Sequence, residues 1–123
     1  MAKILIVDDS RTSRRILKDI LERHGHTIVG EAVNGKEGYE MYQSTNPDIV
    51  TMDITMPVMD GIDSLKLIMR LNPEAKVIMV TAAGQKQKML EALKDGASEY
   101  IAKPLDEEAI VKTVDEILKK MGH

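Results

Sequence analysis

With 123 residues, a net charge of −3 and no cysteine, the chain amounts to one domain without a disulfide, a thiolate zinc site or a thiol nucleophile. An apolar share of 43% and a charged share of 30% suit a globular domain, and the weak negative charge gives no general attraction to nucleic acid or anionic membrane. No apolar run nears the roughly 20 residues of a membrane helix, and Met1-Ala2-Lys3 leaves no room for a signal peptide, so a cytoplasmic location is expected.

The first predicted strand, Lys3–Val7, is nearly continuously apolar, as in strands buried on both faces of a parallel sheet. Ser10 is placed to cap a first helix that shows Ile16, Leu17, Ile20 and Leu21 on one face and stops at Gly25. The second strand, Thr27–Ala32, contains Glu31 and suits a sheet edge. Asn34-Gly35 marks a turn into a short helix over Lys36–Ser44. The third strand, Asp48–Asp53, is apolar up to its acidic end, and the helix Ile62–Leu71 is ended by Asn72-Pro73. Lys76–Thr81 is the fourth strand, followed by a helix that carries Met89, Leu90 and Leu93 and stops at Gly96. Glu99–Ala102 is a weaker fifth strand, again suited to an edge. The last helix carries Ile110, Val111, Val114, Ile117 and Leu118, with Glu107 and Glu108 near its start and Lys119 and Lys120 near its end, as the helix dipole favours. Nine methionines serve as soft core filling in a chain without Phe or Trp. Five β/α units with right-handed crossovers make a three-layer α/β/α sandwich around a parallel sheet.

The chemistry sits at the strand ends. Asp8 and Asp9 follow strand one, Asp53 closes strand three, Thr81 closes strand four and Lys103 follows strand five. In an open parallel sheet the carboxyl ends of the strands converge on one crevice, where ligands bind. Three carboxylates in one crevice repel, so the pocket needs protons or a hard cation, Mg²⁺ first and Mn²⁺ as the alternative. A carboxylate can attack phosphorus to give an aspartyl-phosphate. A cation would bridge carboxylate and phosphate oxygens, a lysine ammonium would pair with another oxygen, and a threonine hydroxyl would donate to a third. Those are the parts of phosphoryl transfer by positioning and charge neutralisation. Taken singly, Thr81 and Lys103-Pro104 are ordinary strand and turn residues; only the set carries the chemistry. His24, His26 and His123 have no ligand spacing and read as structural.

These residues resemble the receiver domains of two-component response regulators. Val7-Asp8-Asp9-Ser10, Asp53-Ile54-Thr55-Met56-Pro57 with Asp60-Gly61, Val80-Thr81-Ala82 and Lys103-Pro104 each stand at the matching strand end. The stretch Ser10-Arg11-Thr12-Ser13-Arg14-Arg15-Ile16 and the ending Met121-Gly122-His123 are similar, more narrowly, to CheY-type stand-alone chemotaxis receivers. The resemblance implies a flavodoxin-like, CheY-like five-stranded parallel sheet in order 2-1-3-4-5, for which CheY is itself a standard example. It also implies a single receiver domain over residues 1–123 with no output domain.

Site roles follow from the resemblance residue by residue. Asp53 is implied as the phosphoacceptor and, with Asp9, as a direct Mg²⁺ ligand. Asp8 would act largely through water, and Thr55 through its backbone carbonyl. Thr81 and Lys103 are implied as the groups that hold the phosphoryl, and Tyr100 as an aromatic switch that turns inward when Thr81 moves. Lys86, Lys88 and Tyr100 would belong to a partner face built from the fourth helix, fifth strand and fifth helix. Ile54, Thr55, Ala83 and Gly84 depart from the aromatic, amide, acid and alanine of enteric chemotaxis regulators, which bears on phosphoryl lifetime.

The implied function is a monomeric signalling switch, catalysing nothing beyond its own phosphorylation and dephosphorylation. It would accept a phosphoryl group from a CheA-like histidine kinase and then bind a protein target, in chemotaxis a FliM-like flagellar motor switch protein. A phosphatase is a further implied partner; nucleic acid and membrane are not. A single-domain phosphorelay intermediate or another non-chemotaxis receiver shares the same residues and stays open. A flavodoxin-like electron carrier would need a hydroxyl- and glycine-rich phosphate loop where Asp8-Asp9 stand. A Mg²⁺-dependent aspartate-nucleophile phosphohydrolase would need a second acid where Thr55 stands. A receiver without phosphorylation is hard to reconcile with five intact site residues.

Overall fold

Lys3–Val7 forms β1, and its burial on both faces follows from its position inside a five-stranded parallel sheet. The computed structural model describes residues 1–122; His123, the terminal histidine of the sequence reading, lies outside the described residues. In chain order β1 is followed by α1 (Arg11–Arg23), β2 (Thr27–Ala32), α2 (Gly35–Thr45), β3 (Ile49–Asp53), α3 (Gly61–Leu71), β4 (Val77–Thr81), α4 (Lys86–Lys94), β5 (Glu99–Ala102) and α5 (Glu107–Lys120). The sheet order is β2-β1-β3-β4-β5, all parallel, so the two strands that carry Glu31 and Glu99 are its edges.

The period of two along each strand sorts the apolar side chains into two cores. Leu5, Val7, Val50, Met52, Val77 and Met79 face α2, α3 and α4, which supply Tyr42, Leu65, Ile68 and Ala92. Ile4, Ile6, Ile49, Ile78 and Ile101 face α1 and α5, which supply Leu17, Ile20, Leu21, Ile110, Val114, Ile117 and Leu118. Each large aliphatic side chain fully removed from water contributes roughly 1.5–3 kcal/mol, so helices shorter than an isolated helix could tolerate are held by packing.

Four helices begin on a side chain that satisfies one of their free N–H groups: Ser10 on α1, Asn34 on α2, Asp60 on α3 and Asp106 on α5. Gly25, at φ +88°, takes the left-handed turn that ends α1, and Gly96 does the same after α4 at φ +107°. The Lys103-Pro104 peptide bond is cis.

Three details depart from the sequence reading. Ile16 is 40% exposed, because successive helix positions rotate by about 100° and the sheet receives only Leu17, Ile20 and Leu21. Leu90 and Leu93 also face outward, and Ala92 is the buried residue of α4, which leaves that helix lightly anchored. Asp48 and Lys76 lie just outside β3 and β4; Asp48 accepts a hydrogen bond from the Lys3 N–H (2.8 Å) instead.

Candidate functional site

Strand parity decides which side chains meet. Asp8 follows Ile4 and Ile6 on the α1/α5 side, Asp53 follows Ile49 and Thr51, and Lys103 follows Ile101. The three therefore converge at the carboxyl ends of β1, β3 and β5. Lys103 Nζ stands 3.6 Å from Asp8 Oδ2 and 3.6 Å from Asp53 Oδ2. Asp9 joins them from just beyond β1: one carboxylate oxygen from each of Asp8, Asp9 and Asp53 lies within 4.8 Å of the others. Asp8 and Asp53 are buried and Asp9 is exposed, so the crevice opens to solvent on the Asp9 side.

Thr81 and Tyr100 belong to the other parity. Thr81 follows Val77 and Met79, and Tyr100 pairs with Met79 while Thr81 pairs with Ala102. The two are thus diagonal neighbours on one face of the sheet, Thr81 buried and Tyr100 41% exposed. Val80, which precedes Thr81, is in register with Asp53. Lys86 and Lys88 lie exposed in the first turn of α4. Thr55 is exposed in the loop after β3.

Local bonding fixes the acids. Asp8 Oδ1 accepts from the Ser10 N–H (2.8 Å), and the Asp8 carbonyl accepts from Arg14 Nη1 (2.8 Å). Arg14 also pairs with Glu31 through Nε at 3.3 Å, so α1 is clamped over the end of β1. Asp53 is held from behind: the Gly61 N–H donates to the Ile54 carbonyl (2.7 Å) and the Ile54 N–H to the Val80 carbonyl (3.3 Å). Ser64 Oγ donates to the Gly35 carbonyl (2.7 Å), tying α3 to the start of α2 beneath that loop.

The electrostatics follow from this geometry. Burial pushes the Asp53 carboxyl up to about 6, and the neighbouring Asp8 charge pushes the same way. Lys103 opposes them, and Asp9 raises the value further. Three carboxylates against one ammonium leave a deficit of positive charge. Among the described residues Asp8 Oδ2 is buried and accepts no hydrogen bond. An oxygen-only donor set with a buried carboxylate oxygen that accepts no hydrogen bond fits a hard divalent cation such as Mg²⁺, which keeps several waters and takes one or two carboxylates.

Two contacts at the site were not read from the sequence. Arg14 stands out in the sequence only as part of a motif. Nothing singles out Gln85 except its place at a helix start where Ser, Thr, Asp or Asn is the usual cap. Its side chain joins Thr55 Oγ1 to the Ala82 N–H.

Comparison with known proteins gives a consistent result. The response regulator receiver domain family matches residues 4–115. The chain is 46% identical over 117 residues to a chemotaxis protein CheY of Thermotoga maritima, covering 95% of this chain and 98% of that one. It is 42% identical over 116 residues to the CheY of Bacillus subtilis, covering 94% and 97%. Among solved structures, a complex of CheX with CheY, BeF3 and Mg²⁺ from Borrelia burgdorferi superposes with a TM-score of 0.90 at 40% identity, covering 94% of this chain and 88% of that one.

Proposed function

This chain belongs to the response regulator receiver family, and from that premise we propose that it is a phosphorylation-activated switch with Asp53 as phosphoacceptor. It is a receiver domain of a two-component system; the identity of its donor and target is the further step. The observation that carries the assignment is the meeting of Asp53 with Asp8, Asp9 and Lys103 at the strand ends.

In this assignment an Asp53 carboxylate oxygen attacks the phosphorus of a phosphohistidine. A P–O bond forms as the P–N bond breaks, and its electron pair leaves with the imidazole. Lys103, 3.6 Å from the attacking carboxylate, balances charge that builds on the phosphoryl oxygens. Thr81 supplies a hydroxyl donor at the next strand end. Bound Mg²⁺ would be held by Asp9, Asp53 and the Thr55 carbonyl, with Asp8 acting largely through water, and would neutralise carboxylate and phosphoryl charge.

The donor is a CheA-like histidine kinase and the output is chemotaxis, acting on a FliM-like flagellar motor switch protein. The near full-length similarity to chemotaxis receivers supports this. The surface offered to the target is the α4–β5–α5 face, where Tyr100, Lys86 and Lys88 are exposed. A phosphatase is a further proposed partner, and a CheX-like protein, as in the Borrelia complex, is a further candidate for binding this domain.

Incubation with acetyl phosphate, read by intact mass, tests the assignment. One phosphoryl increment is expected in Mg²⁺ and none in excess EDTA or in Asp53→Asn. An increment that survives Asp53→Asn would move the phosphoacceptor elsewhere, and fast consumption of the donor with no increment accumulating would point to a phosphohydrolase.

A further inference from the structure

Gln85 is the N-cap residue of α4, yet its side chain makes no bond to the free N–H groups of that helix. It reaches away instead. Oε1 accepts from the Ala82 N–H (2.6 Å), and Nε2 donates to Thr55 Oγ1. Ala82 is the first residue beyond β4, next to Thr81, and Thr55 is two residues beyond Asp53. One partly buried side chain thus ties together the two loops that flank the phosphoacceptor.

The chemistry of that tie is competitive. Ala82 lies past the end of the β4–β5 ladder, whose last pair is Thr81 with Ala102, so its N–H is a donor free of the sheet. A phosphoryl group on Asp53 draws such donors, because bonds to an ionised acceptor are roughly twice as strong as neutral ones. Gln85 already holds this one. Its other end holds the Thr55 hydroxyl, in the segment whose carbonyl is the candidate metal ligand.

Resting on the Asp53 assignment above, we propose that Gln85 is a positioning residue, a latch that keeps the Ala82 N–H from the phosphoacceptor until a phosphoryl group displaces it. Release lets the β4–α4 loop move toward Asp53 and unties the start of α4. That helix, anchored in the core by Ala92, is free to follow. The latch links the event at Asp53 to the outward surface of α4.

Beryllofluoride, a phosphoryl mimic, tests this with Mg²⁺-loaded protein. Gln85→Ala should bind it about fivefold more tightly than wild type, the equivalent of one ordinary hydrogen bond that no longer has to be broken. Gln85→Met, which keeps the side-chain volume without its polar ends, should do the same. Before beryllofluoride is added, the Ala82 amide signal should already shift in both variants. Thr55→Ala should give a smaller gain, and the double variant no more than Gln85→Ala alone. Unchanged or weaker binding by the Gln85 variants, additive gains, or an unmoved Ala82 signal overturns the latch while the wild type still binds. If wild type binds no beryllofluoride in Mg²⁺, the Asp53 assignment fails first and the latch falls with it.

Discussion

Gly61 lies so close to Asp53 that a Cβ on it would stand 1.9 Å from the Asp53 carbonyl oxygen. The N-terminus of α3 is thereby pressed against the last residue of β3, with the Gly61 N–H bonded to the Ile54 carbonyl. Asp53 is positioned by backbone contact as well as by its strand. Gly61→Ala cannot keep this approach, and the obstacle is backbone that does not swing aside. Overpacking of this kind costs about 1–3 kcal/mol. The variant should lose that much in urea unfolding and accept phosphoryl from acetyl phosphate more slowly; wild-type values for both would show that α3 can step back freely.

The pH dependence of the metal-free protein follows from Asp53. Its carboxyl titrates at about 6 when folded against an ordinary value of 3.8. The folded state therefore binds this proton more tightly than the unfolded state. Stability from this group grows as pH falls through about 6 toward 4 and is lost as pH rises back through that window. Between about pH 7 and pH 5 the gain is on the order of 1 kcal/mol. Urea unfolding in EDTA should show it in wild type and not in Asp53→Asn, whose side chain does not titrate; equal pH slopes would remove Asp53 as the cause.

Mg²⁺ should raise the melting temperature, because whatever binds only the folded state stabilises it by mass action, by about 2.7 kcal/mol at a hundredfold excess over Kd. In EDTA, Asp53→Asn and Asp8→Asn should each melt higher than wild type at neutral pH, since each removes one of three mutually repelling charges. Asp9→Ala should weaken Mg²⁺ binding most among the acids other than Asp53. Identical melts with and without metal would count against a shared acidic pocket.

Val58 carries a left-handed φ of 68° in the loop between β3 and α3, and its side chain is 80% exposed. A β-branched residue is strained there, and burial offers it no compensation. Val58→Asn should stabilise the protein by about 1 kcal/mol, because asparagine enters this region readily. An unchanged or lower urea midpoint would mean the loop relaxes around valine without strain.

Coupling from Asp53 to Tyr100 is proposed to run through Thr81. The two residues are diagonal neighbours on one sheet face, and Tyr100 starts outward. Thr81→Ala should still be phosphorylated on Asp53 yet lose most of the phosphorylation-dependent gain in partner affinity. Isothermal titration against the phospho-dependent partner measures this, and a full wild-type gain in the variant would break the relay.

Much of this architecture is local and so was legible in the sequence. Apolar β-branched runs specify strands buried on both faces, Ser10 and Gly25 bracket α1, and Glu31 and Glu99 mark the edges. Strand ends in a parallel sheet share one crevice, so Asp8, Asp9, Asp53 and Lys103 could be placed there from their positions alone. The sequence could not rank faces of a helix that meets only part of the sheet, as Ile16, Leu90 and Leu93 show.

What only the tertiary structure decided is which of those side chains touch. Parity and register put Lys103 on Asp8 and Asp53 and leave Thr81 beside Tyr100 instead. The Gly61–Asp53 contact and the Gln85 bridge join residues 8 and 30 positions apart. No periodicity encodes such pairings, because they depend on how loops settle after the strands have paired. The amino-acid order determined the sheet and the chemical parts at its end; packing in three dimensions determined their distances, the raised Asp53 carboxyl and the Gln85 side chain that joins their loops.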